Sequence, residues 1–358
     1  MRRFAIFLTV FIVIVAVTGC HKKSNEDVPP PDNFIRGADL SFLPEIEQWG
    51  TQFYTADGTP EDVLTQLYKN GCNTVRVRLW HTPAGLHSSL AEVSAFCQRV
   101  HDKGMKVILD IHYSDTWADP GNQATPAAWK KLPLNTLSDS VYKYTLKAVS
   151  LIRPEFVQIG NEINGGFMWE QGRISKQADF IQLLKSGVKG ARDAGVQTKI
   201  IIHFAGLTGS WWFFDLLKTN TVDYDIMALS YYPVWHGKDL NRVQTTLDSL
   251  VSLTSKEVMI AETAYPFTLQ WNDYTNNILG LESQLVQGYP ASASGQLDFM
   301  NKLKNILVKT GKGVGFCYWG GEWVAFKGTT AADGSSWENQ ALFDFSNKAL
   351  PVMRVFNK

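Results

Sequence analysis

The sequence predicts a single (β/α)8 barrel (TIM barrel) with enlarged βα loops. Eight short β-branched or aromatic runs recur along the chain, amphipathic segments of helical length separate them, and polar residues gather at one end of the runs. The runs are FIRGADLSF from residue 34, NTVRVRLW from 73, KVILDIHY from 106, FVQIGNE from 156, TKIIIHFA from 198, DIMALSYY from 225, EVMIAETA from 257 and GVGFCYWGG from 313. Between them PEDVLTQLYKNG, SSLAEVSAFCQRVHDKG, SDSVYKYTLKAVSLI and SKQADFIQLLKSGVKGARDAG read as helices, with Pro or Ser near several starts and Gly closing three of these four. A doubly wound open sheet is the competing architecture. It is disfavoured because no Gly-rich dinucleotide fingerprint follows the first run. The strand-poor stretch from about 265 to 312 reads as a functional loop followed by a helix.

The N-terminus differs from the rest. MRRFAIFLTVFIVIVAVTGC has two arginines, an apolar run from Phe4 to Val17, then small residues and Cys20. That run is shorter than the roughly 20 residues a membrane span needs, so residues 1–19 read as a signal peptide. The ending Val17-Thr18-Gly19-Cys20 resembles the lipobox of bacterial lipoproteins. It implies a lipid anchor on Cys20 and export to the bacterial outer membrane, with the cell surface the expected face and the other face left open. Residues 20–33, with three prolines, read as a stiff tether, and the catalytic domain as 34–358. Cys72, Cys97 and Cys317 lack metal or disulfide spacing and read as buried thiols. With 34 basic and 34 acidic residues, nothing suggests a nucleic-acid partner. A monomer is expected.

In a barrel, reactive groups belong where the strands finish. Those ends carry Asp39; Arg76, Arg78 and Trp80; Asp110, His112 and Tyr113; Asn161 and Glu162; Tyr231 and Tyr232; Glu262; and Tyr318 and Trp319. Glu162 ends strand four and Glu262 strand seven, so the two carboxylates face each other across the barrel axis. Such a pair suits glycosidic cleavage: a separation of about 5–5.5 Å implies a covalent intermediate and retention, and roughly 6.5–9.5 Å implies inversion. Arg76 or Arg78, with Tyr231 or Tyr232, are candidate donors that keep one carboxylate ionised. An isolated N-E or A-E-T is common, so the weight lies in the joint pattern. Of 12 tryptophans, Trp80, Trp117, Trp129, Trp169, Trp235, Trp319 and Trp323 fall in loops leaving these ends, where flat rings can stack on sugars.

The segments RGADLSFLPEIEQWG, NTVRVRLWHTPAG, VILDIHYSDTWADPGNQATPAAW, VQIGNEINGGFMW, MALSYYPVWHG, MIAETAYPF and ENQALFDF together resemble the arabinogalactan endo-β-1,4-galactanases, glycoside hydrolase family 53. The resemblance runs from Phe34 to the end of the chain. It implies an endo-acting, retaining glycosidase cutting β-1,4-galactan and type I arabinogalactan side chains of pectin, without a cofactor for the chemistry. By motif, Glu162 is then the acid/base and Glu262 the nucleophile, and Asn161 binds the sugar 2-hydroxyl. Asp39, Arg78, Trp80, His112, Tyr232, Trp235 and Trp319 are the implied substrate contacts. Some bacterial members hold a structural calcium ion in the loops after strands seven and eight. Here Asn272 and Asp273, with Asn276 and Asn277, offer oxygens of the kind calcium takes, although solvated turn polarity explains them equally. Two other readings stay open at this point: another retaining β-glycanase of the same fold, acting on mannan, xylan or glucan, and a non-catalytic surface glycan-binding lipoprotein.

Overall fold

The computed structural model describes residues 29–358. The predicted signal peptide and Cys20 lie outside them. All eight expected runs are strands: β1 Ile35–Asp39, β2 Thr74–Leu79, β3 Lys106–Ile111, β4 Phe156–Ile159, β5 Lys199–Ala205, β6 Ile226–Ser230, β7 Glu257–Thr263 and β8 Gly313–Tyr318. Every neighbour pairs in parallel and β8 returns to β1, so the sheet is a closed barrel. The helices are α1 Leu43–Gln48, α2 Val63–Lys69, α3 Leu90–Asp102, α4 Leu134–Ile152, α5 Gln177–Arg192, α6 Ser210–Thr219, α7 Pro233–His236, α8 Leu240–Thr254 and α9 Ala293–Lys309. None of them is long and apolar enough to cross a membrane.

Helix starts follow local chemistry. Asp62, Ser89 and Ser292 each accept a first-turn backbone N–H, satisfying a donor that the helix itself leaves open. Alternation along each strand then divides the apolar residues in two. Val75, Val77, Leu79, Val107, Leu109 and Ile111 face the helices, in the main core. Ile35, Ile108, Phe156, Ile201, Ile226, Met259 and Cys317 form a second cluster that fills the lower barrel interior. Above that layer the inward positions turn polar: Asp39, Arg76, Asp110, Gln158, His203, Ser230 and Glu262 are all buried. This change from an apolar floor to a polar mouth positions the site.

The loop after β7 is not loose. Tyr265 Oη donates to Tyr289 O and accepts from Val286 N, while Asn339, in the loop after β8, donates to Thr268 O and Leu279 O. Cys72, Cys97 and Cys317 are free and buried, as their spacing implied.

Gly37 on β1 leaves room for Cys317 on β8: a Cβ at Gly37 would lie 2.4 Å from Cys317 Sγ. Gly37→Ala should therefore cost about 1–3 kcal/mol of stability through overpacking. Urea titration should show the loss, and adding Cys317→Ala, which removes the clashing sulfur, should recover part of it.

Candidate active site

The β4 ladder stops at Ile159, and the chain turns at Gly160, whose φ of +79° only glycine adopts freely. A Cβ there would also meet Ile163 Cγ2 at 2.5 Å. Glu162 itself sits at φ +48°, a left-handed conformation costing of order 1–3 kcal/mol in a non-glycine residue. Neighbouring bonds hold it: Ile163 N donates to His203 O at 3.1 Å, and Gln123 Nε2 donates to Asn161 O at 2.7 Å. On the far side, register shifts at Leu229/Ser230 and at Ile260/Thr263 set Ser230 opposite Glu262. Such irregularities at a barrel rim re-aim side chains. A carboxylate oxygen of Glu162 and one of Glu262 thereby come within 4.8 Å of each other.

Arg76 organises this mouth. Its Nη1 donates to Asp39 Oδ2 at 2.6 Å, and its Nη2 reaches Asp110 Oδ2 at 2.9 Å, Asn161 Oδ1 at 2.8 Å and Glu262 Oε1 at 3.0 Å. Nε donates to Gln158 Oε1 at 3.2 Å. Burial opposes the guanidinium charge, but Asp110, Glu262 and Asp39 outweigh it and hold the group firmly protonated. Tyr232 Oη adds a second donor to Glu262, to Oε2 at 3.1 Å. Glu162 has no such ion pair and instead contacts Ser230 Oγ at 2.5 Å.

Burial is the largest effect on both glutamates. It pushes Glu162 up to about 7 and Glu262 well above the usual carboxylate range; Arg76 pulls both down, and the neighbouring Glu162 pushes Glu262 up. Two buried carboxyls this close do not both ionise readily, so they hold a proton between them. Of the two, Glu262 alone is contacted by Arg76 and Tyr232, and those contacts favour its charged form over that of Glu162.

The pair lines a cleft of about 400 Å³ walled by Trp117, Tyr232, Trp235, Trp319 and Trp337. Trp319 and Trp337 meet edge to face at 4.8 Å, and Trp235, 56% exposed, offers an open ring face. The buried Nε1 atoms of Trp80 and Trp337 have no hydrogen-bond partner among the described residues. A broader depression of about 890 Å³, between 238–241 and 282–290, shares no residue with this cleft.

Of the sequence-predicted contacts, Tyr232, Trp235 and Trp319 line the cleft with both glutamates. Asn161 lies beneath, bonded to Arg76 and Ala118 O. Asp39 is 2% exposed and committed to Arg76 and Ser41, and both His112 ring nitrogens are engaged, by Asp110 and by Ala118 N. Neither is among the residues that wall this cleft. Arg78 lies among the rings of Phe42, Trp80 and Trp117, with burial lowering it to about 10. Of the alternative donor pairs, Arg76 and Tyr232 reach Glu262, while Tyr231 Oη donates to Gly237 O. Sequence reasoning missed Trp337, His203 and Ser230 as site residues.

Two places could concern a metal. Glu162, His203 and Glu262 present three atoms within 4.8 Å of one another. Both His203 nitrogens are already engaged, however, and the Arg76 cation sits on Glu262, so this cluster does not suit a second cation. In the β7 and β8 loops, buried Asp273 accepts from Thr275 N and Ser335 N, and Glu338 Oε1 accepts from Asn272 N. Glu338 Oε2, Asn277 Oδ1 and Asn339 Oδ1 are buried without a partner. Orphaned oxygens beside two carboxylates fit a calcium ion.

Comparison with known proteins gives a consistent answer. The sequence model of Glycosyl hydrolase family 53 matches residues 35–356. An arabinogalactan endo-β-1,4-galactanase of Cellvibrio japonicus is 36% identical over 352 residues, covering 93% of each chain. An endo-β-1,4-galactanase of Bacillus subtilis is 32% identical, covering 90% of this chain and 85% of its own. Among solved structures, an Ignisphaera aggregans GH53 catalytic domain superposes with a TM-score of 0.87 at 37% identity, covering 91% of this chain and 96% of its own.

Arg76→Met would leave three buried carboxylates without their counter-charge. It should cost about 3–5 kcal/mol at neutral pH. The stranded groups would have folded-state affinities for protons above their unfolded ones, so the deficit should shrink as pH falls towards about 5. Denaturant titrations at several pH values measure this.

Proposed function

The chain belongs to Glycosyl hydrolase family 53, and from that membership we propose that it is an endo-acting β-1,4-galactanase, cutting galactan and type I arabinogalactan with retention of anomeric configuration. It is a glycosidase, and the non-catalytic reading is set aside. The observation carrying the mechanism is the facing pair: carboxylate oxygens within 4.8 Å, with Arg76 on Glu262 alone. A closest oxygen approach of that size supports the about 5–5.5 Å carboxyl separation of retaining enzymes over the wider spacing of inverting ones.

Glu262, kept ionised by Arg76 and Tyr232, attacks the anomeric carbon. As the bond to the leaving sugar breaks, Glu162 gives its proton to the departing oxygen. Glu162 then removes a proton from water, which attacks the same carbon and releases Glu262. Asn161 keeps an amide N–H for the 2-hydroxyl of the sugar at the cleavage point. Trp235, Trp319 and Trp337 offer ring faces to the apolar C–H groups of the sugar, and Arg78, packed against Trp80 and Trp117, lies behind that wall. The galactan preference rests on the relatives named above.

Calcium, where bound, would neutralise Asp273 and Glu338 and tie the β7 loop to the β8 loop, with Asn277 and Asn339 as further oxygen donors. Export and lipidation at Cys20 rest on the sequence of residues 1–20.

Glu162→Ala and Glu262→Ala should each lose about 10³-fold or more in turnover on galactan. Azide should rescue the first as a β-galactosyl azide and the second, if at all, as the α-anomer; near wild-type turnover in either variant would remove its assigned role. Product release should be greater from galactan than from mannan, xylan or glucan. Because the acid must be protonated, kcat/KM should fall as pH rises through about 7. Removing calcium with a chelator should lower Tm, by the equivalent of about 2.7 kcal/mol relative to calcium at 100 Kd. A Tm unmoved by calcium or chelator would dismiss the ion.

A further inference from the structure

The hydrogens around Glu162 can be placed one by one, starting from Asn161. Its Oδ1 faces Arg76 Nη2 at 2.8 Å and its Nδ2 faces Ala118 O at 2.9 Å, so two independent partners fix which amide atom is oxygen. That oxygen only accepts. His203 Nδ1, 3.0 Å from it, must therefore carry a hydrogen. His203 is fully buried, and burial, with Arg76 adding to it, keeps the ring neutral. A neutral ring protonated at Nδ1 has a bare lone pair on Nε2. The atom facing that lone pair is Ser230 Oγ, at 2.9 Å, which must donate. Ser230 has a single hydroxyl hydrogen, and it is now spent. Its remaining contact, 2.5 Å to Glu162 Oε1, is a hydrogen bond only if the hydrogen comes from Glu162.

We propose that Ser230 and His203 are positioning residues for the acid: the chain Glu162–Ser230–His203–Asn161, anchored on Arg76, keeps Glu162 in its carboxylic acid form with the proton on Oε1. The same guanidinium thus serves both glutamates by different routes, holding Glu262 ionised by direct contact and Glu162 protonated through three intervening side chains. Once Glu162 has passed its proton to the leaving oxygen, Ser230 can turn its hydroxyl to the new carboxylate only by leaving His203 Nε2 buried and unpartnered. This cost favours return of a proton to Glu162 from the incoming water, which closes the cycle. Nothing is consumed: the proton lost to the leaving group is replaced by the water's.

The other charged or titratable groups facing Glu162 come from every neighbouring strand. They are Arg76 on β2, Asp110 on β3 and Asp119 in the loop after it, Tyr232 after β6 and Glu262 on β7, while His236, lowered to about 4 by burial, stands nearer His203. Their balance favours a protonated Glu162 whether or not Ser230 takes part, so the test must isolate the serine. If Ser230 accepts from Glu162, Ser230→Ala removes a bond made only by the protonated acid. The basic limb of the kcat/KM profile should then move down by roughly one pH unit, about a tenfold change in proton affinity. If Ser230 instead donates to an ionised Glu162, the limb should move up, and the proposal is wrong.

The inference rests on Glu162 being the acid, so a second measurement avoids catalysis. In protein with ¹⁵N-labelled histidine at pH 6, His203, identified by its loss in His203→Gln, should show a protonated Nδ1 and an unprotonated Nε2. Both nitrogens protonated, or the opposite tautomer, would overturn the relay even if the serine variant fails to fold. A fully active Glu162→Ala enzyme would instead sink the acid assignment and leave the tautomer result standing.

Discussion

A single buried guanidinium sets the terms for the mouth of this barrel. Arg76 is 1% exposed and ties together Asp39 from β1, Asp110 from β3, Gln158 from β4, Asn161 after it and Glu262 from β7. Moving such a cation out of water costs several kcal/mol, an expense met only when good geometry and full hydrogen bonding surround it. Each partner is likewise too polar to be buried alone. The polar layer therefore forms as a unit, on a floor of Ile108, Phe156, Ile201, Ile226 and Met259 that keeps water from below.

The asymmetry of that unit gives the site its chemistry. Both glutamates are buried and close, and each resists ionisation in the presence of the other. Arg76 breaks the tie by touching Glu262. The proposed nucleophile and proposed acid thus differ in environment more than in residue type, which is how one pair of like carboxyls takes two roles. Around them the loops contribute aromatic ring faces, apolar surface that matches a sugar's C–H faces.

Much of this was legible in the sequence where a local pattern carried it. The strands announce themselves by β-branched runs, and Glu162 and Glu262 by falling just where those runs end. Arg76 and Arg78 could not be ranked, because two residues apart on one strand they point to the same side; depth decides, and depth depends on what the opposite strands supply. Asp39 and His112, expected as sugar contacts from the family resemblance, are bonded to Arg76 and Ser41 and to Asp110 and Ala118 N in this structure. His203 and Ser230 look like ordinary interior strand positions, and only the register slip after Leu229 sets Ser230 against Glu262. Trp337 and Glu338 come from an irregular loop whose path no periodicity encodes.

The account turns on charge residing at Glu262, and trapping the glycosyl-enzyme tests that directly. Incubation with a 2-deoxy-2-fluoro-β-galactobiosyl donor carrying a dinitrophenolate leaving group should inactivate the enzyme stoichiometrically, and peptide mapping should place the added sugar on Glu262. Label on Glu162, or turnover without any covalent adduct and with inverted product, would contradict it.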